Sequence, residues 1–261
     1  MATHPTIMIT GMITGMATTM ITAIITVMAM GTTTIMLTEP ALHLLLAWTS
    51  PSLPIGGYTY SHGLETAVDD GRVRSWGDLV GYVDAVIARG GGWVDAVLLA
   101  QAMRVAHDDA AFDALADLAA AFRASSETAL ESRQQGAAFL AVVRKAWPHP
   151  ALDDYAARRG DWPHAHATVF ALAAAAHGVD EGAAVHGFLH ATAANLVSAG
   201  VRLVPLGQTD GQLAMAELAR RIGPIAAAAR ACPLEDLGTA TPALELCSFH
   251  HETLYTRLFR S

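Results

Sequence analysis

Residues 164–199, HAHATVFALAAAAHGVDEGAAVHGFLHATAANLVSA, decide the fold class of this chain. Their apolar residues recur at three- and four-residue steps, which predicts two α-helices, one ending near Gly178 and one over residues 180–199. The many alanines in both segments let helix axes approach each other closely. We therefore predict an all-α protein whose helices pack as a compact bundle or orthogonal array.

The same spacing extends from residue 41 to the end of the chain, and long runs of alternating apolar and polar residues are absent. Ser75 and Ser125 each stand at an expected N-cap, and residues 209–212 have the spacing of a capping box. The pattern predicts roughly eight to ten helices. Because no long linker interrupts it, we expect residues 39–261 to form a single domain.

Residues 1–38 differ in composition from everything after them. They contain no Asp, Glu, Lys or Arg and hold eight of the ten methionines. We predict a disordered, low-complexity Met/Thr-rich extension. The uncharged run from residue 7 to residue 37 exceeds the roughly 20 residues that a membrane-spanning helix requires, so a membrane-tethered adaptor is an alternative, although Thr and Gly dilute the run. Another hypothesis places the start of translation at Met30 or Met36.

Charge and residue usage exclude several classes of protein. The formal net charge of −8 has the wrong sign for a protein that binds nucleic acid or anionic lipid. The only lysine, Lys145, follows no glycine loop, which excludes a phosphate-loop NTPase and a pyridoxal enzyme. Cys232 and Cys247 form no paired zinc-binding spacing, so a reducing cytoplasm is the expected compartment.

Two pairs of side chains have the spacing of a reactive or metal site. His186 and His190 share one helix face, as in helical metal sites, but no third ligand is evident. Surface or hydrogen-bonded core histidines are the simpler interpretation, and a metal-dependent hydrolase using this pair is the alternative. Glu127 and Glu131 also share a face, which is typical of a solvated or inter-helix polar patch.

Two segments are unusual for plain core. Residues 50–65, SPSLPIGGYTYSHGLE, combine prolines, glycines and tyrosines, which indicates a specific rigid turn. Residues 250–261, HHETLYTRLFRS, end the chain with large apolar residues and two arginines, where most termini are small and polar. Such a segment is expected to dock, either on the protein's own core or on a partner.

These segments, together with ESRQQG at 131–136 and VRLVPLGQ at 201–208, resemble the UreF family of urease accessory proteins in order and spacing. The resemblance covers about residues 41 to 261 and implies an all-α cytoplasmic protein that is not an enzyme and needs no cofactor. It also implies a homodimer that binds the accessory protein UreD, called UreH in some organisms. That complex recruits the GTPase UreG and delivers nickel to apo-urease.

The resemblance assigns expected roles to individual positions. It implies that the C-terminal segment contacts partners through His251, Glu252, Tyr255, Arg257, Leu258 and Phe259. It implies that the remaining motif positions shape the scaffold, namely Pro54, Gly56, Tyr58, Tyr60, Ser61, Gly63, Glu65, Arg133, Gly136, Arg202, Pro205 and Gly207.

Arg257 is the first choice for a contact with the GTPase. We favour an interface ion pair, because a terminal segment is too mobile to position a catalytic charge without help. The alternative is an arginine-finger-like role in which its charge stabilises the phosphoryl transition state.

Overall fold

The computed structural model describes residues 37–261. The alternative start sites, and nearly all of the predicted extension and of the candidate membrane segment, lie outside the described residues. Two single-turn 3₁₀ helices cover Gly57–Thr59 and Leu234–Asp236. Eleven α-helices are found in this part of the chain: α1 Glu39–Trp48, α2 Leu64–Asp69, α3 Trp76–Arg89, α4 Gly91–Arg104, α5 Asp109–Ala121, α6 Ser126–Ala146, α7 Pro150–Arg159, α8 His166–Ala176, α9 Glu181–Leu203, α10 Gln208–Ala231 and α11 Pro242–His251.

The all-α prediction is confirmed, since residues 37–261 contain helices and no β-strand. The number of helices is slightly above the expected eight to ten. The short helix α2 directly follows the predicted rigid turn, and the prolines and glycines of that turn gave no helical signal there. No helix in the described part of the chain is both long and apolar enough to cross a membrane.

Local hydrogen bonds explain where the helices begin. The Ser75 and Ser125 side chains accept from the backbone N–H groups of Asp78 and Thr128, which confirms both predicted N-caps. The predicted box at residues 209–212 is wrong by two positions. The Asp210 carboxylate accepts from the Gly207 N–H at 2.9 Å, so α10 begins at Gln208.

The alanine-rich stretch forms the centre of the molecule, as its composition predicts. Every residue from Ala167 to Ala174 in α8 is buried, which fits a helix that is apolar on all sides. Helix α8 packs between α4 and α6, and α9 packs against α3, α4 and α10. These central helices support the elements that form the candidate site, namely α2, α6, α11 and the segment before α2.

Candidate partner-binding site

The last ten residues pack against the unusual segment that precedes α2. We call residues 252–261 the tail and residues 56–65 the receptor turn. The Arg260 N–H donates to the Thr59 carbonyl at 2.8 Å, and the Ser61 N–H donates to the Ser261 carbonyl at 2.8 Å. The Ser61 hydroxyl also donates to the Ser261 carbonyl. The receptor turn and the tail are therefore one hydrogen-bonded unit.

The receptor turn depends on left-handed backbone at three positions. Gly56, His62 and Gly63 have φ angles of 77°, 54° and 76°. A Cβ atom added to Gly63 would lie 2.7 Å from the backbone nitrogen of Ser248 in α11. Glycine is therefore required at residue 63 both for its φ angle and for its close approach to α11.

Glu65 is the main acceptor for the tail. One carboxylate oxygen accepts from the Leu258 N–H at 2.6 Å and the other from the Phe259 N–H at 2.9 Å. The second oxygen also lies 3.0 Å from Nε2 of His251, and Glu65 is only 8% exposed. A buried carboxylate with several donors is stabilised by charge-assisted hydrogen bonds, so Glu65 fixes the path of the tail backbone.

His251 and Glu127 extend this network toward α6. Nδ1 of the fully buried His251 lies 2.7 Å from Glu127, while Arg257 donates from Nη1 to the other Glu127 oxygen at 2.7 Å. Both ring nitrogens of His251 therefore lie within hydrogen-bond distance of a buried carboxylate. The guanidinium of Arg257 places a positive charge beside Glu127.

A second buried carboxylate, Glu131, lies one helical turn further along α6. Its oxygens lie 3.0 Å from His62 Nε2, 2.8 Å from Gln135 Nε2 and 3.2 Å from the Ser261 hydroxyl. Burial lowers the pKa of His62, but the charge and hydrogen bond of Glu131 outweigh burial, so the pKa is raised overall. Of the two predicted alternatives for Glu127 and Glu131, the structure therefore shows the inter-helix polar patch, since both side chains are buried.

Arg202 joins the tail to α9. Its guanidinium carbon lies 4.5 Å above the centre of the Phe259 ring, and its Nη2 donates to the Tyr58 carbonyl at 2.8 Å. The buried Tyr60 hydroxyl donates to Gln134 in α6. Residues from three of the sequence motifs therefore meet at the tail.

The remaining motif residues are placed less centrally. A Cβ atom on Gly136 would overlap the backbone carbonyl of His164, so this glycine permits close packing of α6 on the segment before α8. Arg133 is exposed and donates to the Ala129 carbonyl of its own helix. Pro54 and Pro205 are exposed, and Gly207 is the N-cap of α10.

The six residues expected to contact partners divide into two groups. His251 and Phe259 are buried within the chain's own fold, and Glu252 accepts from the N–H and hydroxyl of Ser126. Tyr255 and Leu258 are exposed, and the Arg257 side chain is 41% exposed. Contact of these residues with a partner stays a prediction. The sequence predicted a polar patch at Glu127 and Glu131 from two acids on one face of a helix, but it did not indicate that they contact His251 and the tail.

The histidine pair does not extend to a metal site. His186 is half-buried and His190 is exposed. Burial, and then the charge of His190, lower the pKa of His186. Among residues 37–261, no group of three or more His, Cys, Asp or Glu side chains is arranged to hold a metal ion. The hydrolase alternative therefore has no third ligand in the part of the chain that the structure describes.

Comparison with known proteins assigns the chain to a family. A family model named UreF matches residues 73–219, which is more than half of the chain. Relatives that carry the name urease accessory protein UreF include the following three. The protein from Granulibacter bethesdensis is 49% identical over 225 residues, covering 85% of this chain and 95% of its own length. The protein from Rhodopseudomonas palustris strain TIE-1 is 45% identical over 223 residues, covering 85% and 92%. The protein from Bradyrhizobium sp. strain BTAi1 is 42% identical over 231 residues, covering 86% and 94%. The chain therefore belongs to the UreF family of urease accessory proteins.

Proposed function

We propose that this chain acts in urease maturation as a non-enzymatic scaffold in the cytoplasm. In this proposal it forms a homodimer, binds a UreD/UreH-type accessory protein and recruits the GTPase UreG, so that nickel is inserted into apo-urease. Family membership supports the accessory role. The structure of the tail supports its use as the surface that meets these partners.

The distribution of exposed apolar side chains carries the proposal. Eleven large hydrophobic residues are exposed in the described part of the chain, and four of them lie within residues 246–258: Leu246, Phe249, Tyr255 and Leu258. Leu246 and Phe249 are three residues apart and share a face of α11. The presence of several exposed large apolar side chains in one segment supports the proposal that this segment meets a partner.

The tail is held against the chain's own fold by several contacts. Glu65 fixes its backbone, and Phe259 is 4% exposed, while Leu258 is 66% exposed. A surface that is already held in one conformation loses less conformational entropy on binding. The buried residues of the tail therefore act as anchors, and the exposed ones are available to the partner.

Co-expression with UreD, UreG and apo-urease tests this proposal. The variant Tyr255→Ala/Leu258→Ser removes exposed apolar area and leaves the anchors intact, so it should fold normally but lose co-purification and nickel-dependent urease activity. Leu213→Ser, an equally simple change at a 50% exposed residue of α10, is the control. Normal co-purification and maturation with the double variant would show that the tail is not the partner surface.

Arg257 distinguishes two forms of the proposal. Its guanidinium is paired with Glu127, so a role as an arginine finger requires it to leave that carboxylate. We favour the interface role, in which Arg257→Ala abolishes recruitment of UreG in a pull-down. Intact recruitment with lost stimulation of GTP hydrolysis would instead favour the finger.

Two measurements on the isolated chain test the proposed homodimer and the hydrolase alternative. Sedimentation should give the mass of a homodimer. Nickel or zinc titration separates the scaffold from the hydrolase alternative, because tight stoichiometric binding that is lost in His186→Ala would favour the enzyme.

A further inference from the structure

A cavity of about 570 Å³ lies beside the receptor turn. Its volume falls within the range of about 300 to 1,000 Å³ that is typical of small-molecule sites. The walls come from the loop after α1, from α3, α4, α6, α8 and α9, from the end of α5 and the segment after it, and from residues 239–245. This cavity is distinct from the exposed surface of the tail, and the scaffold function proposed above does not use it.

One part of the cavity wall is aromatic. Trp48, Phe122, Phe170 and Phe188 all line it. The rings of Phe170 and Phe188 meet edge to face with their centroids 5.4 Å apart. Aromatic rings provide apolar contact area, and their negative faces attract cations.

The polar part of the wall contains two ion pairs. Arg123 donates to both oxygens of Asp95 at 3.1 and 2.7 Å, and His62 lies 3.0 Å from Glu131. All four side chains line the cavity. Each pair balances its own charge when His62 is protonated, so neither pair gives the cavity a net positive charge.

A third carboxylate makes the lining negative overall. Glu245 lines the cavity, and its hydrogen-bond donor is the neutral hydroxyl of Thr239. His166 adds no compensating charge near neutral pH, because burial lowers its pKa to about 4. Its Nε2 is buried and has no hydrogen-bond partner among the described residues. A neutral imidazole has one nitrogen that accepts a hydrogen bond.

We propose that this cavity binds a small protonated amine with an aromatic or branched apolar body. The ammonium group would donate hydrogen bonds to acceptors such as Glu245 and Nε2 of His166, and its charge would offset the net negative charge of the lining. The apolar body would contact the aromatic wall. An anion of the same size meets the unbalanced carboxylate, so the site should discriminate by charge.

Calorimetric titration of the full chain with three probes tests the proposal. The probes are 2-phenylethylamine, the neutral 2-phenylethanol and the anionic phenylacetate, which share a phenyl body. We expect saturable one-to-one binding of the amine, binding of the alcohol that is weaker by about fivefold or more, and the weakest binding for the anion. No saturable binding of the amine, or equal affinity for the anion, would overturn the proposal.

Two phenylalanine variants locate the binding, and a third variant tests the charge of the site. Ala191 of α9 lines the cavity and Ala194 of the same helix does not, and both are half-buried. Ala191→Phe should abolish amine binding, and Ala194→Phe should retain it. Glu245→Gln keeps the volume and is the test if Ala191→Phe does not fold. Glu245→Gln should weaken binding of the amine by about fivefold and leave the affinity for the alcohol unchanged. An unchanged affinity for the amine in this variant would contradict the proposed site.

Discussion

The carboxylate of Glu65 lies 3.0 Å from Nε2 of His251, although the two residues are 186 positions apart in the chain. Glu65 lies in the first turn of α2, and His251 is the last residue of α11. Both side chains are buried. This contact therefore connects the beginning of the domain to its end. It also fixes the point at which the tail leaves α11.

Glu65→Gln should release the tail. Glu65 now faces the ring of His251 and the backbone N–H groups of Leu258 and Phe259. Glutamine has a single acceptor oxygen, so its NH₂ group would face a backbone N–H that has lost its acceptor. We expect a loss of about 2 to 4 kcal/mol in the free energy of unfolding, measured by urea denaturation. Trypsin cleavage after Arg257 should become about tenfold faster or more, followed by mass spectrometry.

The control for this change is Glu217→Gln. Glu217 pairs with Arg220 and Arg221 on the surface of α10, so its loss should cost less than about 1 kcal/mol. A Glu65→Gln chain that is no less stable than this control, with its tail still resistant to trypsin, would show that Glu65 does not position the tail.

Gly136→Ala and Gly81→Ala should have opposite effects. Both glycines lie inside helices, but a Cβ atom at Gly136 would overlap the His164 carbonyl, whereas nothing lies within 4 Å of one at Gly81. We expect Gly136→Ala to cost about 3 kcal/mol or more, because the α6 contact must open. Gly81→Ala should stabilise the chain by about 0.5 to 1 kcal/mol. Equal melting temperatures for the two variants would contradict this account of α6 packing.

The helices and their caps were predictable because the forces that start them are local. Ser75 and Ser125 bond to backbone groups three residues away, so the sequence shows both partners together. The box at residues 209–212 was misplaced because Gly207 has no side chain, and the acceptor, Asp210, reaches backward.

The candidate site was predictable only in its parts. Composition singled out residues 50–65 and residues 250–261, but nothing within either segment indicates that Glu65 meets His251. The burial of Glu127 depends on α11 and the tail lying against α6, which is a tertiary contact with no periodic signal in the sequence. The same reason explains why the sequence could not decide between a solvated and an inter-helix patch for the paired carboxylates on α6.

The contact between Arg202 and Phe259 should be measurable as a coupling energy. Lysine at 202 keeps the charge but loses the planar group above the ring and the fixed hydrogen bond to the Tyr58 carbonyl. In a double-mutant cycle of Arg202→Lys and Phe259→Leu, we expect a coupling of about 0.5 to 1 kcal/mol in urea unfolding. Additive effects of the two changes would contradict a stabilising cation–π contact.

His166 should make the stability of the chain depend on pH. Burial lowers its pKa to about 4 in the folded chain, whereas the ordinary value in an unfolded chain is about 6.5. The unfolded state therefore binds the proton more readily, and the stabilisation is complete above the unfolded pKa and is lost as the pH falls toward the folded pKa. His62, whose pKa is raised, has the opposite sign.

The difference between the wild-type chain and His166→Gln isolates this contribution, because every other titrating group is common to both. Between about pH 7.5 and pH 5, the free energy of unfolding of the wild type should fall by about 2 kcal/mol more than that of His166→Gln. Urea denaturation at a series of pH values measures both curves. Parallel curves over this range would mean that His166 accepts a proton as easily in the folded chain as in the unfolded one, and that the cavity wall beside it is open to water.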